Sequence, residues 1–411
     1  MRPLAFTGAR VVDPASGHDG PMTLLVRAGR IEGRLRPDER PPEGCQHRDA
    51  RGLVLVPGLV DARAHAGPCG LEALGDAAVA GGVTTVLVAP DADPARDTAA
   101  AIATALAHAG KARVAPVAAL TLGLAGEAMA PLRRLREAGA VAFGQADRPL
   151  ASAAMLRAVM LAARDLGTVI DLPPLEMTLS GGNASSTAWS AWLGLDPVPP
   201  EAEVLALLRD ATLAAATGVA LHVGAMSGVA TLPHLADAKR AADVTAGVSI
   251  AHLSCNETDT GDLDPRFRFH PPLRSEDDRQ ALAAAIADGT LDIVHSGHRP
   301  APRAELPFTE ALPGGPTLQA LLPALLRLHH SRDVPLMRLV EVVTHAPARR
   351  FGLDAGALRV GAPADLTLFD ADEPWVAPAV GSAFDGARLT GRVRETWVGG
   401  RRAFALGDGR D

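Results

Sequence analysis

Lysine is nearly missing from this chain: Lys111 and Lys239 stand alone among 411 residues, and arginine carries the rest of the positive charge. Cysteine is scarce as well. Cys45, Cys69 and Cys255 share no close spacing, which excludes a cysteine zinc pattern and leaves reduced thiols of a cytoplasmic protein as the expectation. No uninterrupted apolar run reaches the roughly 18 residues of a membrane span. The opening MRPLAFTGARVVD has no apolar h-region, so no signal peptide is expected either. A formal charge of -7 offers no basic footprint for nucleic acid.

What is there is a large apolar content, 47% of residues, enough to bury a sizeable core in one barrel domain with an appendage. Residues 1–56 read as short strands and turns, LAFTGARVVDP, MTLLVRAGRIEGRL and RGLVLVPG, and so as part of a small β-module. From 57 to 350 short apolar runs alternate with Ala/Leu-rich helical stretches. Strands are expected at VPGLVDA, at 83–89, 113–120, 140–143, 168–172, 219–223, 248–253 and 291–296. Eight strands with helices between them predict a (β/α)8 TIM barrel, an α/β fold whose functional groups lie at the C-terminal strand ends. Residues 351–411 return to β-character, as the second part of a discontinuous, sandwich-like module built from both termini. The loop from 173 to 200 is long enough to carry a function of its own at the mouth.

Several segments together resemble a known family: GARVVDPASG, PGLVDARAH, AAVAGGVTTVLVAP, GAVAFG, PPLRSEDDRQAL, THAPARRFGL and VGAPADLTLFD. They are similar to the amidohydrolase superfamily, and within it to dihydroorotases and their inactive relatives. The resemblance implies a metal cluster at the barrel mouth that makes hydroxide from a bridging water and polarises a cyclic amide. Each implied ligand position can be read here. In the His-x-His pair on the first strand, Arg63 replaces the first histidine and His65 remains; a guanidinium has no lone pair for a metal and repels a cation. Where a carboxylated lysine or aspartate would bridge the metals stand Gly144, Gln145 and Ala146, with Asp147 displaced beyond them. The fifth strand has Leu172 and the sixth Ala225 in place of histidines. The eighth-strand motif reads Gly297, His298, Arg299, Pro300, Ala301, with glycine where the ligand and general-base aspartate would be.

The implied substrate positions depart too. Gly67 stands for an arginine, and Asp91 and His270 stand for asparagines, although Arg274 is retained. Among surviving histidines, His65, His222 and His298 are the candidates for a residual single-zinc site, with His252 and His295 near the same barrel end; the bland alternative is that all are hydrogen-bonded histidines of the core and mouth. Asp61 and Asp292 are expected as structural partners of backbone or arginine groups, with Asp61 and Arg63 as a pair able to fill the metal space. The expectation is therefore a dihydroorotase homologue with no catalytic or substrate-binding residues left and no cofactor. The resemblance is to the inactive dihydroorotase-like subunit of bacterial aspartate carbamoyltransferase. It implies a cytoplasmic homodimer that assembles with aspartate carbamoyltransferase catalytic chains in pyrimidine biosynthesis, without nucleic acid or membrane. The alternative is a divergent amidohydrolase acting on a cyclic amide through a relocated or single zinc.

Overall fold

The computed structural model describes residues 2–107, 110–300 and 306–407. Eight parallel strands lie side by side in chain order: Leu59–Ala64, Val83–Val88, Arg113–Ala119, Ala142–Gly144, Val169–Leu172, Leu221–Met226, Val244–Ser249 and Ile293–His295. Almost all of their residues are buried, because helices such as Gly70–Ala80, Ala153–Asp165 and Glu201–Thr217 cover the outside while side chains fill the interior. The apolar runs mark these strands well, except the seventh. It starts at Val244 and stops at Ser249, where the serine hydroxyl accepts the backbone N–H of His252 and opens a short helix, Ile250–Ser254. A capping serine within an apolar run is hard to separate from strand pattern over so few residues.

The first and eighth strands meet without a regular ladder. Val60 N–H donates to Val343 O at 2.8 Å and Val294 N–H to Val342 O at 3.0 Å, so residues 342–343 wedge between the two strands. Further up the seam the buried Asp61 carboxylate accepts the Ser296 N–H at 2.7 Å and also the Ser296 hydroxyl. At the mouth His65 N–H donates to His298 O at 2.7 Å.

Both chain ends build the β-module. A four-stranded sheet runs in the order Arg30–Leu35, Thr23–Arg27, Leu4–Thr7, Gln46–Asp49. A six-stranded sheet runs Arg401–Ala405, Arg388–Val398, Leu366–Val376, Val54–Pro57, Arg10–Asp13, His18–Pro21. Phe6, Val11, Leu24, Ile31, Leu55, Leu366 and Leu368 form the apolar cluster between them. The chain passes from module to barrel at Gly58, where an added Cβ would lie 2.2 Å from Thr84 Oγ1; only glycine permits that crossing. No helix among the described residues is long and apolar enough to cross a membrane.

Candidate functional site

The first barrel strand delivers Arg63 and His65 to the mouth, both buried. Arg63 does not pair with Asp61, contrary to the expectation, because Asp61 is taken up by Ser296 at the seam. Its partners are two other carboxylates: Nη2 lies 2.6 Å from Asp147 Oδ1 and Nη1 lies 3.2 Å from Asp171 Oδ2. Nη2 also donates to the Ala146 carbonyl at 3.2 Å. Asp147 is therefore not diverted from the site, as an extended continuation of the fourth strand would require. The strand ends at Gly144, and Ala146 adopts a left-handed φ of 53°, which swings the Asp147 carboxylate over the mouth. That conformation costs an alanine on the order of 1 kcal/mol.

Asp147 is shared. Its Oδ2 receives Arg299 Nη2 at 2.6 Å, and the same nitrogen lies 3.0 Å from Asp91 Oδ2. His65 Nδ1 donates to Asp91 at 2.7 Å, and its Nε2 faces Asp147 at 3.7 Å. Burial alone would raise both acids, but Arg299 and Arg63 hold Asp147 well below the usual carboxylate range. The His65 hydrogen bond and Arg299 likewise hold Asp91 down at about 2. Asp171 behaves differently. Its burial outweighs the longer contact with Arg63, and the neighbouring Asp147 charge adds to the effect, so it is pushed up to about 6.

The remaining sequence candidates fall into place around this knot. Gln145 turns away and donates to Thr121 Oγ1 at 2.7 Å, and Leu172 is buried in the apolar core. Ala225, Gly297 and His270 line the mouth cavity with Ser249, His252 and His295. At Gly67 the left-handed φ of 58° and a Cβ position 2.4 Å from Pro300 O leave no room for a long side chain. Arg274 lies beside Ser227, donating to its hydroxyl at 2.8 Å, and does not line the cavity. Ala301 lies outside the described residues. Asp292 accepts the Ala246 N–H at 2.8 Å, the backbone partner expected, and also pairs with Lys239 at 2.7 Å.

Among the described residues the surviving histidines form no metal-holding group, although His65, His252 and His295 line one cavity. His222 is paired through Nδ1 with Thr245 Oγ1 at 2.9 Å and packs edge-on against Phe351, and His298 Nδ1 accepts the Thr317 N–H at 3.1 Å. His252 accepts the Ser249 hydroxyl at 2.7 Å and donates to the Pro271 carbonyl at 3.0 Å. Burial lowers these imidazoles, to about 4 for His252 and about 3 for His298. Neither ring nitrogen of His295 has a hydrogen-bond partner; the Gly224 carbonyl faces the ring outside ordinary hydrogen-bond geometry, and burial lowers the ring to about 3.

The donor set does not fit the metal cluster that the sequence resemblance implies. The carboxylates nearest the first strand are already neutralised by guanidinium groups, which would repel an incoming cation. Among the described residues no group of three or more His, Cys, Asp or Glu side chains is placed to hold a metal ion. The cavity beside these groups has a volume of about 40 Å³. Sequence reasoning missed Asp147, Asp171 and Arg299 as one unit because they come from three separate strand ends.

Comparison with known proteins gives this barrel its relatives. The amidohydrolase family model matches residues 54–403. A protein named dihydroorotase from Anaeromyxobacter dehalogenans (strain 2CP-1 / ATCC BAA-258) is 37% identical over 420 residues, covering 97% of each chain. Another from Geotalea daltonii (strain DSM 22248 / JCM 15807 / FRC-32) is 33% identical over 415 residues, covering 96% of this chain and 97% of that one. Among solved structures, the L-hydantoinase (dihydropyrimidinase) from Arthrobacter aurescens superposes with a TM-score of 0.88 at 24% identity, over 100% of this chain and 98% of the other. That last likeness is one of fold.

Proposed function

This chain belongs to the amidohydrolase family as a dihydroorotase-like member, and from that premise we propose that it has no dihydroorotase activity and works as a structural subunit. Its partner in this reading is aspartate carbamoyltransferase, whose catalytic chains a cytoplasmic homodimer of the barrel protein would hold in a larger assembly of pyrimidine biosynthesis. The observation that carries the proposal is the Arg63 guanidinium, locked between Asp147 and Asp171 where the family chemistry needs a metal-bound hydroxide. Leu172, Ala225 and Gly297 supply no ligand in its place. The fold nevertheless keeps a continuous core through the barrel. A packed barrel without reacting groups has its remaining work on its surface, and function then follows from partners. The choice of partner rests on the resemblance of GAVAFG and of the altered eighth-strand motif to the inactive subunit.

Co-expression with aspartate carbamoyltransferase, followed by size-exclusion chromatography with light scattering, tests the reading. A joint peak with higher or more durable transferase activity is expected. Separate elution with unchanged transferase activity would overturn it. The competing reading is a divergent amidohydrolase with a relocated or single zinc. It draws on the names of the relatives and on His295, whose buried ring faces the cavity unpaired.

A further inference from the structure

Five strand ends converge on two guanidinium groups. Arg63 from the first strand meets Asp147 after the fourth and Asp171 on the fifth; Arg299 after the eighth meets Asp147 and also Asp91 after the second. All of these side chains are at least three-quarters buried. Two features of the backbone fit around these guanidinium–carboxylate pairs. Ala146 holds its left-handed turn, presenting Asp147 while its own carbonyl accepts Arg63 Nη2. Position 224 is bare: a Cβ there would lie 2.7 Å from Arg63 Nη1 and 2.4 Å from Asp171 Oδ1. The strained turn and the bare position together leave room for the Arg63–Asp171 pair and bring Asp147 onto the same guanidinium.

We propose that Arg63, with Arg299, is the resident cation of this mouth: a protein-supplied counter-charge that ties the strand ends together in place of a metal and frees the fold from any metal supply. This rests on the scaffold reading above and deepens it. Arginine suits the task because its planar fork binds two carboxylates at fixed angles and never deprotonates. A metal entering the same space would have to displace a covalently attached cation.

Thermal melting of the full chain tests the assignment. Wild-type protein should melt at the same temperature with chelator, with added zinc, or with neither. Arg63→Met, which keeps the volume but leaves buried acid uncompensated, should melt roughly 5 °C or more lower. Arg63→Ala should regain the loss saturably with millimolar methylguanidinium and not with sodium chloride or methylammonium. Arg63→Met melting at or above wild type would overturn the proposal, as would a rise of the wild-type melting temperature with zinc. If Arg63→Ala fails to fold, Arg63→Lys decides, since it keeps the charge without the fork. A melting temperature between those of wild type and Arg63→Met supports the proposal, and one equal to Arg63→Met overturns it. Dihydroorotate turnover by wild-type protein would remove the scaffold reading and leave these melting shifts standing, so the two fail separately.

Discussion

Gly224 is in close contact with the Arg63–Asp171 pair, leaving no space for even one methyl group between the sixth strand and the guanidinium. The chemistry at position 63 and the backbone at position 224 are therefore one feature. Gly224→Ala should destabilise the protein by about 1–3 kcal/mol, the usual cost of overpacking. In an Arg63→Ala background the same change should cost less. Urea unfolding of the four proteins in this double-mutant cycle measures the coupling, which is expected at about 0.5–3 kcal/mol for residues in contact. A coupling near zero would separate the two sites.

Asp171 gives the stability a pH dependence with a definite sign. Its folded pKa, pushed up to about 6 from 3.8, means that the folded state binds the proton more tightly. Its contribution to stability is full below about pH 4 and is lost as pH rises through about 6. Asp91, held down at about 2, works the opposite way and is lost only on strong acidification. Asp171→Asn should therefore gain on wild type between about pH 4 and pH 7, by up to roughly 3 kcal/mol. Urea midpoints across that range check it, and parallel curves for the two proteins would show that Asp171 does not titrate there.

At the seam, Asp61→Ala leaves the buried Ser296 N–H and hydroxyl without their acceptor. The expected loss is about 2–4 kcal/mol, two unsatisfied polar groups. Hydrogen exchange should show the Ser296 amide losing protection before the ladder amides of the middle strands.

Restoring one ligand should not restore the chemistry. Arg63→His leaves Leu172, Ala225 and Gly297 unchanged and Arg299 still paired with Asp147, so neither stoichiometric zinc nor dihydroorotate turnover is expected. Plasma emission analysis of protein purified without chelator and a turnover assay read the two outcomes. One zinc per chain in this variant would mean that Asp147, Asp171 and His65 form a working half-site.

The barrel was readable because its strands are short, β-branched and buried on both faces, with turn residues between them. The expectation of 248–253 for the seventh strand misses its start at Val244 and runs past Ser249, where the strand gives way to a helix. The losses at Arg63, Leu172, Ala225 and Gly297 were readable because a ligand atom is a property of residue type. What replaced the ligands was not. Asp147 reaches the mouth through a left-handed alanine, and alanine carries no sequence signature for that conformation. Asp91 and Arg299 pair across 208 positions, a distance no local pattern spans. Asp61, expected beside a backbone group or Arg63, takes the Ser296 N–H and hydroxyl and so closes the barrel seam.

The shared six-stranded sheet also sets a timetable for synthesis. Val54–Pro57 emerges from the ribosome early, but one of its two neighbours, Leu366–Phe369, lies about 310 residues downstream. At about 5–20 residues per second that wait is roughly 15–60 s. Throughout it, the segment presents an unpaired, apolar strand edge to the cell. The module is thus the last part of the chain to close, and the interval before it does is when a nascent chain of this protein is most open to chaperones and to self-association.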